Sequence, residues 1–206
     1  MSIYDHLWLT RFLNPINQPK EIRSFLKEES EILLNHIKIG SSLIDFGCGY
    51  GRHLELLSDR LSYGLGIDIS KGNITLGKRR LRHYTNIELK VADCRSPNLE
   101  QIFDYAIIMN NTLGNMEEKK KVVSEMENAI HQKGQCIFSV YNPESVSPRI
   151  DWYQRTGLKV KTVSSNYIET EDGFRSYHFT KDQLLKLIGR CNIIPIGRIG
   201  YFAISH

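Results

Sequence analysis

The chain has 206 residues, 41% of them hydrophobic, which is enough for one globular domain with a substantial core. Its net charge of +4 is a mild excess that by itself identifies neither nucleic acid nor membrane as a partner. The four cysteines are scattered and no signal-peptide pattern is present, which argues against a secreted disulfide scaffold. No apolar run approaches the roughly 20 residues of a membrane span, which argues against a membrane protein. These observations favour a reduced, cytoplasmic enzyme.

A helix is predicted over residues 20–38, where apolar side chains recur at helical spacing, and a strand is predicted over residues 42–46. The strand leads into a turn and a short helix, which carry Gly47, Gly49 and Gly51 and then Leu54, Leu57 and Leu61. Glycines allow the backbone angles of a tight turn and the close approach of a ligand. The spacing Asp-x-Gly-x-Gly-x-Gly therefore predicts a nucleotide site that differs from the Gly-x-Gly-x-x-Gly of dinucleotide binders.

Four further strands alternate with helices and are predicted over residues 63–67, 87–91, 105–109 and 136–140. Ser70 is the expected N-cap of a helix that runs to about Arg82. Asn115 and Glu118 are expected to form a capping box for the next helix, and Gly134 to separate that helix from the fifth strand. Strands alternating with helices predict a right-handed, mostly parallel sheet with helices on both faces.

Residues 141–179 break this alternation and are interpreted as a small antiparallel insertion. It is expected to contain a short helix near 148–155 and three strands, over 158–163, 166–171 and 174–179. Asp172-Gly173 is a strong signal for the last hairpin turn. In that hairpin Phe174, Ser176 and His178 share one face and Arg175, Tyr177 and Phe179 the other, and the pattern leaves open which face meets the site.

The chain ends with a predicted helix and an antiparallel hairpin. Thr180 and Gln183 form a capping box for the helix, and the hairpin strands are expected over residues 193–198 and 200–205. No internal repeat and no low-complexity tract divides the chain, so residues 1–206 are expected to form a single domain.

Polar side chains stand at the ends of the first four strands, at Asp45, Asp68, Asp93 and Asn110. In an open α/β sheet, ligands lie beyond the carboxyl ends of the strands, at the switch in strand order. Asp68 can accept hydrogen bonds from two ribose hydroxyls, and Asp93 can accept one from an exocyclic amine. Asp45, beside the glycine turn, suits a cationic group of the ligand.

With these segments the chain resembles the class I S-adenosylmethionine-dependent methyltransferases. The similar stretches are residues 43–51, 66–70, 91–94 and 103–110. The resemblance implies a Rossmann-like, doubly wound seven-stranded sheet of order 3-2-1-4-5-7-6, in which the last hairpin supplies an antiparallel strand. It also implies that S-adenosylmethionine is the cofactor and donates a methyl group by in-line displacement.

The resemblance assigns most strand-end residues to parts of the cofactor. The implied contacts are Gly47, Cys48 and Gly49 for the methionine part, Asp68 for the ribose, Ile69 for the adenine ring, Asp93 and Cys94 for the adenine amine, and Asn110 for the sulfonium and amino group.

A looser similarity to small-molecule N-methyltransferases, including those acting on glycine, histidine or amino sugars, concerns the acceptor. It depends on Asn-Thr-Leu-Gly-Asn after the fourth strand and on the insertion at 141–179, which would lie on the substrate side. It implies that residues 1–19 form a lid, with Tyr4, Trp8, Arg11 and Phe12 closing over the pocket. The expected acceptor is a small-molecule amine or hydroxyl.

Such a nucleophile can need a base, and Tyr141 and His178 are the catalytic residues predicted for it, with Tyr177 and Glu169 as further possibilities. No metal-ligand spacing is present, so no metal is expected. The stretch after the fourth strand also lacks the Asn/Asp-Pro-Pro-Tyr/Phe motif of adenine-N6 enzymes.

Two alternatives remain open at this point. An RNA methyltransferase acting on tRNA or rRNA would account for the basic cluster of Lys78, Arg79, Arg80 and Arg82, although these residues are also typical of a solvated helix face. A non-catalytic cofactor-binding subunit would share the same fold. An NAD-dependent oxidoreductase is disfavoured by the glycine spacing and by the absence of a second mononucleotide-binding half.

Overall fold

The computed structural model of the protein describes residues 12–205. Within them the helices are α1 (Lys20–His36), α2 (Arg52–Leu57), α3 (Lys71–Arg80), α4 (Lys119–Asn128), α5 (Val146–Thr156) and α6 (Lys181–Ile188). The strands are β1 (Ser41–Phe46), β2 (Leu61–Asp68), β3 (Ile87–Val91), β4 (Phe103–Ile108), β5 (Ile130–Tyr141), β6 (Val160–Val163), β7 (Tyr167–Thr170), β8 (Arg175–Tyr177), β9 (Cys191–Ile196) and β10 (Gly200–Ser205).

Seven strands form one sheet in the order β3-β2-β1-β4-β5-β10-β9. The first five strands are parallel, whereas β10 pairs antiparallel with both β5 and β9. This arrangement confirms the predicted order, with the last hairpin strand reversed. The chain builds outward from β1 to β3 and then returns to place β4 on the other side of β1. The switch in strand order therefore lies between β1 and β4, where ligands bind in open α/β sheets.

Helices cover both faces of the sheet, as predicted. Apolar side chains of α1, α2, α3 and α5 form the core on one face, and those of α4 and α6 form the core on the other. The central strand β1 is apolar on both sides, because Leu43 faces one core while Ile44 and Phe46 face the other. Among residues 12–205, no helix has both the length and the apolarity needed to cross a bilayer.

The predicted insertion is present as a separate antiparallel sheet of order β6-β7-β8, preceded by α5. The turn between β7 and β8 contains Gly173, whose φ of 85° suits glycine, and its N–H donates to Thr170 O at 3.0 Å. Two predicted N-caps are also confirmed: Ser70 accepts from the N–H of Asn73, and Thr180 forms a capping box with Gln183.

Three local predictions are wrong. Leu61, predicted on the helix after the glycine turn, begins β2, since α2 ends at Leu57. Strand β5 begins at Ile130, and Gly134 lies inside it, where an added Cβ would come within 2.8 Å of the Ile130 side chain.

The third wrong prediction is the capping box before α4. Glu118 has a φ of 45° and makes no side-chain cap, because its carboxylate accepts from Arg95 Nη1 at 3.0 Å. Asn115 lies in a 3-10 turn and accepts from Ser176 Oγ at 2.6 Å. Both side chains therefore serve contacts with distant segments instead of the helix start.

Candidate functional site

A cavity of about 800 Å³ lies beyond the carboxyl ends of β1 to β4, between the main sheet and the small sheet. Its volume is in the range of small-molecule and cofactor sites. Seven of the nine predicted cofactor residues line it: Gly47, Gly49, Asp68, Ile69, Asp93, Cys94 and Asn110. The fold thus brings residues from four strand ends to one cavity, while their contact with a cofactor stays a prediction.

The glycine turn forms the floor of this cavity. Gly47 and Gly49 have φ values of 70° and 57°, in the left-handed region that favours glycine. The N–H groups of Gly47 and Cys48 donate to Ile67 O at 2.8 and 3.0 Å, which holds the turn against β2. A Cβ added to Gly47 would lie 2.4 Å from Thr112 Cγ2. Glycine at this position therefore lets the Thr112 side chain pack directly against the turn.

Asp68 connects the end of β2 to the glycine turn. Its Oδ2 accepts from the N–H of Gly49 at 2.9 Å, and its Oδ1 accepts from the N–H of Ser70 at 2.8 Å. Burial is the main influence on this carboxyl and raises its pKa, whereas the two backbone donors act in the opposite direction. The Asn73 side chain also hydrogen-bonds this carboxylate. An ionised carboxylate accepts about four hydrogen bonds, so acceptor capacity for a ribose remains.

Asp93 already has a cationic partner, which sequence reasoning missed. The Nε and Nη2 atoms of Arg95 lie 2.6–3.0 Å from the Asp93 carboxylate oxygens, and this contact lowers the pKa of Asp93. Arg95 also bonds Glu118 and so connects the loop after β3 with the start of α4. An adenine amine at Asp93 would share the carboxylate with Arg95.

Glu29 is a second residue that sequence reasoning missed, although a signal existed. It is fully buried on α1, at helical spacing within the apolar series Ile22, Phe25, Leu26 and Leu33. A carboxylate inside an apolar stripe indicates a buried polar contact.

Both oxygens of Glu29 contact the walls of the site. Oε1 accepts from the N–H of Asn110 at 2.7 Å and from the Ser139 hydroxyl, and Oε2 lies 2.9 Å from Arg52 Nη2 and 3.1 Å from His53 Nε2. Burial opposes its ionisation, but the partners prevail and lower its pKa to about 2. Glu29 therefore connects α1 to α2 and to the end of β4.

Asp45 and Cys48 are the two predicted cofactor residues that do not line the cavity. Asp45 is 1% exposed, and its Oδ2 lies 3.8 Å from His53 Nδ1, so the cation that it faces belongs to the protein. Cys48 is buried, and its thiol donates to Gly49 O at 3.5 Å. Both residues therefore pack beneath the glycine turn and do not face the cavity.

His53 predicts a pH dependence of stability. Burial and the charge of Arg52 lower its pKa, but the carboxylates of Asp45 and Glu29 outweigh them and raise it. The folded protein thus binds this proton more tightly than the unfolded chain. The resulting stabilisation is complete below the unfolded pKa of about 6.5 and is lost as pH rises through the folded value.

We therefore expect the free energy of unfolding to fall as pH rises above about 6.5, with a smaller slope in His53→Gln. Urea unfolding between pH 6 and pH 9 measures this slope. His83→Gln, at an exposed histidine, is the matched control and should retain the wild-type slope. Identical slopes for wild type and His53→Gln would contradict the assignment.

Asn110 and Asn111 turn the chain at the end of β4, with φ values of 51° and 57°. Asn111 is buried and donates from Nδ2 to Tyr177 O at 3.0 Å, while its Oδ1 accepts from the N–H of Tyr141. Strand β8 is thereby held beside the end of the main sheet. This contact places the small sheet over the cavity.

The structure decides which hairpin face meets the site. Arg175 and Tyr177, which share one face of β8, line the cavity, as do Lys119 from α4 and Phe12 from the N-terminal segment. Phe174, predicted on the other face, also lines the cavity, at the turn before β8 begins. The alternate positions Ser176 and His178 are buried. Phe12 stacks on Trp152 with ring centroids 3.5 Å apart. The other predicted lid residues, Tyr4, Trp8 and Arg11, lie outside the described residues.

Neither predicted catalytic base lines the cavity. His178 donates from Nε2 to Ser165 O at 2.8 Å, its Nδ1 faces Arg149, and burial lowers its pKa. Tyr141 is 3% exposed, its hydroxyl lies 3.4 Å from Asn110 Oδ1, and burial raises its pKa well above the usual value. A proton-accepting role for these two residues stays a prediction without support from the geometry.

Within residues 12–205, no group of three or more His, Cys, Asp or Glu side chains could hold a metal ion. The basic cluster of α3 lies outside the cavity: Arg80 pairs with Glu55 at 2.7 Å, and Lys78, Arg79 and Arg82 are exposed.

A comparison with protein families adds to this geometry. Residues 43–134, from β1 into β5, match the family model described as a methyltransferase domain. This segment belongs to the methyltransferase domain family. The sheet order is the one that the resemblance to class I S-adenosylmethionine-dependent methyltransferases predicts.

Three similar proteins extend the comparison. An uncharacterized protein of Methanocaldococcus jannaschii is 30% identical over 172 residues, which are 77% of this chain and 65% of that protein, so the chain spans just under two thirds of its length. The dTDP-3-amino-3,4,6-trideoxy-alpha-D-glucopyranose N,N-dimethyltransferase of Streptomyces venezuelae is 24% identical over 186 residues, 87% of this chain and 74% of that enzyme.

The third is a crystal structure of 1,6-didemethyltoxoflavin-N1-methyltransferase from Burkholderia thailandensis with bound 1,6-didemethyltoxoflavin and S-adenosylhomocysteine. Its TM-score is 0.63 at 13% identity, with 88% of this chain and 76% of that chain covered. The chain therefore has the same fold as this enzyme.

Proposed function

We propose that the protein transfers a methyl group from S-adenosylmethionine to an amine or hydroxyl of a small molecule. The observation that carries the proposal is the continuous cavity, which joins the strand-end residues Gly47, Asp68 and Asn110 to the inserted residues Arg175 and Tyr177. A cofactor held by the strand-end residues would share this cavity with the inserted sheet. Methyltransferases named for small-molecule nitrogen acceptors are among the similar proteins.

The residues of the strand ends fit the cofactor. In the proposal, the Asp68 carboxylate binds the ribose, Ile69 and Cys94 contact the adenine, and the narrow turn at Gly47 and Gly49 accommodates the methionine part. Ile69 is 60% exposed, although it is a large apolar side chain, which fits a residue that a ligand covers. Asn110, held by Glu29, provides a side-chain carbonyl near the sulfonium.

When bound, S-adenosylmethionine supplies an electrophilic methyl group on a positively charged sulfur. The protein's own task is to align the acceptor with this group and to exclude water, for which effective molarities are worth about 7–11 kcal/mol. Phe12, Phe174 and Tyr177 give the acceptor end of the cavity apolar walls suited to that task. The small sheet can exclude water there because Asn111 fixes it to the main sheet.

The acceptor class can be tested by incubating the protein with S-adenosylmethionine that carries a labelled methyl group and with a cell extract. The extract is separated into small-molecule, RNA and protein fractions. We expect label mainly in the small-molecule fraction, and much less of it with Asp68→Ala. Label mainly in RNA, lost steeply as salt rises, would replace the proposal with the RNA alternative. Absence of label despite cofactor binding would favour a non-catalytic subunit.

A further inference from the structure

Two cationic side chains line the acceptor end of the cavity, and the proposed methyl transfer uses neither. Lys119 is the first residue of α4, and Arg175 lies on β8 of the small sheet. Tyr177 shares a strand face with Arg175 and lines the same cavity. The two charges therefore come from separate elements, and the fold of the insertion brings them to one place.

Lys119 is held in a defined position instead of extending into solvent. Its Nζ donates to Met116 O at 2.5 Å and lies 3.8 Å from the centroid of the Tyr177 ring. Within residues 12–205 it forms no ion pair with a carboxylate. Burial lowers its pKa, the negative charge of Glu117, which also lines the cavity, raises it, and the charge of Arg175 lowers it by a smaller amount.

Arg175 is only partly neutralised. Its Nη2 lies 2.9 Å from Glu169 Oε2, but the same carboxylate also receives Lys161 Nζ at 3.5 Å. These three groups carry a net charge of +1. The guanidinium carbon of Arg175 lies 4.9 Å from the centroid of the Tyr167 ring, which positions the planar donor group along the hairpin.

Two like charges at the wall of one cavity destabilise each other, and an oxyanion bound between them would remove that repulsion. A guanidinium and an ammonium are also the donors that bind carboxylate and phosphate oxygens most strongly. We propose that the methyl acceptor carries a carboxylate or phosphate group and that Lys119 and Arg175 bind this group. The inference rests on the proposed small-molecule methyl transfer and names the chemical class of its acceptor.

The binding partner can be probed without knowing the acceptor. The wild-type protein is saturated with S-adenosylhomocysteine and titrated calorimetrically with inorganic phosphate, inorganic pyrophosphate and succinate. We expect at least one of these oxyanions to bind, and Lys119→Gln and Arg175→Gln each to weaken that binding about tenfold. Lys119→Arg, which keeps the charge, should retain most of it. The phosphate and succinate titrations distinguish a phosphate from a carboxylate site.

Lys120→Gln is the matched control, because Lys120 is exposed and follows Lys119 on α4 without lining the cavity. It should leave oxyanion binding unchanged. No heat with any oxyanion, or equal binding by wild type, Lys119→Gln and Arg175→Gln, would overturn the inference while leaving methyl transfer intact. Failure to bind S-adenosylhomocysteine would instead overturn the proposed function, and the inference with it.

Discussion

Replacing Asp68 with alanine is expected to weaken the binding of S-adenosylmethionine about 100-fold or more. The proposed contacts are two hydrogen bonds from ribose hydroxyls to a carboxylate, and each such bond is worth about 1.5–3 kcal/mol. The change also removes the acceptor for the N–H of Gly49, which lies at 2.9 Å from Oδ2 and positions the glycine turn. Isothermal titration calorimetry with both proteins measures the difference.

Two further variants show whether the loss is specific. Asp59→Ala, at an exposed carboxylate after α2, should bind the cofactor like the wild type. Asp68→Asn keeps one acceptor oxygen and should lie between wild type and Asp68→Ala. Circular dichroism and thermal unfolding establish that each variant is folded. Equal affinities for wild type and Asp68→Ala would show that Asp68 does not bind the cofactor.

Replacing Glu29 with alanine is expected to have the largest effect on stability, about 3–5 kcal/mol in the free energy of unfolding. The change leaves Arg52, whose side chain is 28% exposed, without a carboxylate partner and leaves His53 with Asp45 alone at 3.8 Å. It also leaves the N–H of Asn110 with Ser139 as its remaining partner. A buried cation without its counter-charge is much less stable than an intact pair. Urea unfolding at pH 7 measures the loss.

The matched control lies on the same helix. Glu31 is exposed and pairs with Lys27 at 3.7 Å, so Glu31→Ala should change the unfolding free energy by less than about 1 kcal/mol. Because Glu29 also holds the backbone of Asn110, we expect Glu29→Ala to weaken cofactor binding in whatever fraction stays folded. An unfolding free energy within about 0.5 kcal/mol of wild type would disprove the role assigned to this carboxylate.

Much of the fold could be predicted from sequence because the relevant signals are local. Apolar runs of five or six residues separated by helical spacings indicate parallel strands and crossover helices, and the right-handed crossover limits how they can be arranged. The Asp172-Gly173 turn and the Thr180–Gln183 capping box depend on four residues or fewer, and both are present. The local predictions that failed concern residues such as Glu118, whose partner Arg95 lies 23 positions away.

The candidate site likewise has features that the sequence predicts and features that only the tertiary structure shows. The glycine turn and the strand-end positions Asp68, Asp93 and Asn110 follow from sequence, since parallel strands end at one edge of the sheet. Only the tertiary structure shows that Asp93 shares its carboxylate with Arg95 and that Asp45 faces His53 instead of the cavity. Long charged side chains pair with groups that are near them in the folded chain, and the sequence does not show which groups those are.

By itself, the sequence determined the parallel sheet, the glycine turn and the polar residues at the strand ends, because each depends on backbone geometry that a few neighbouring residues impose. Only the tertiary structure shows which face of the hairpin meets the cavity. Alternation along a strand defines two faces, but it does not say what each face packs against. It also revealed the buried Glu29 and brought Lys119 and Arg175 together. Charges from α1, α4 and β8 become neighbours only after the chain has packed.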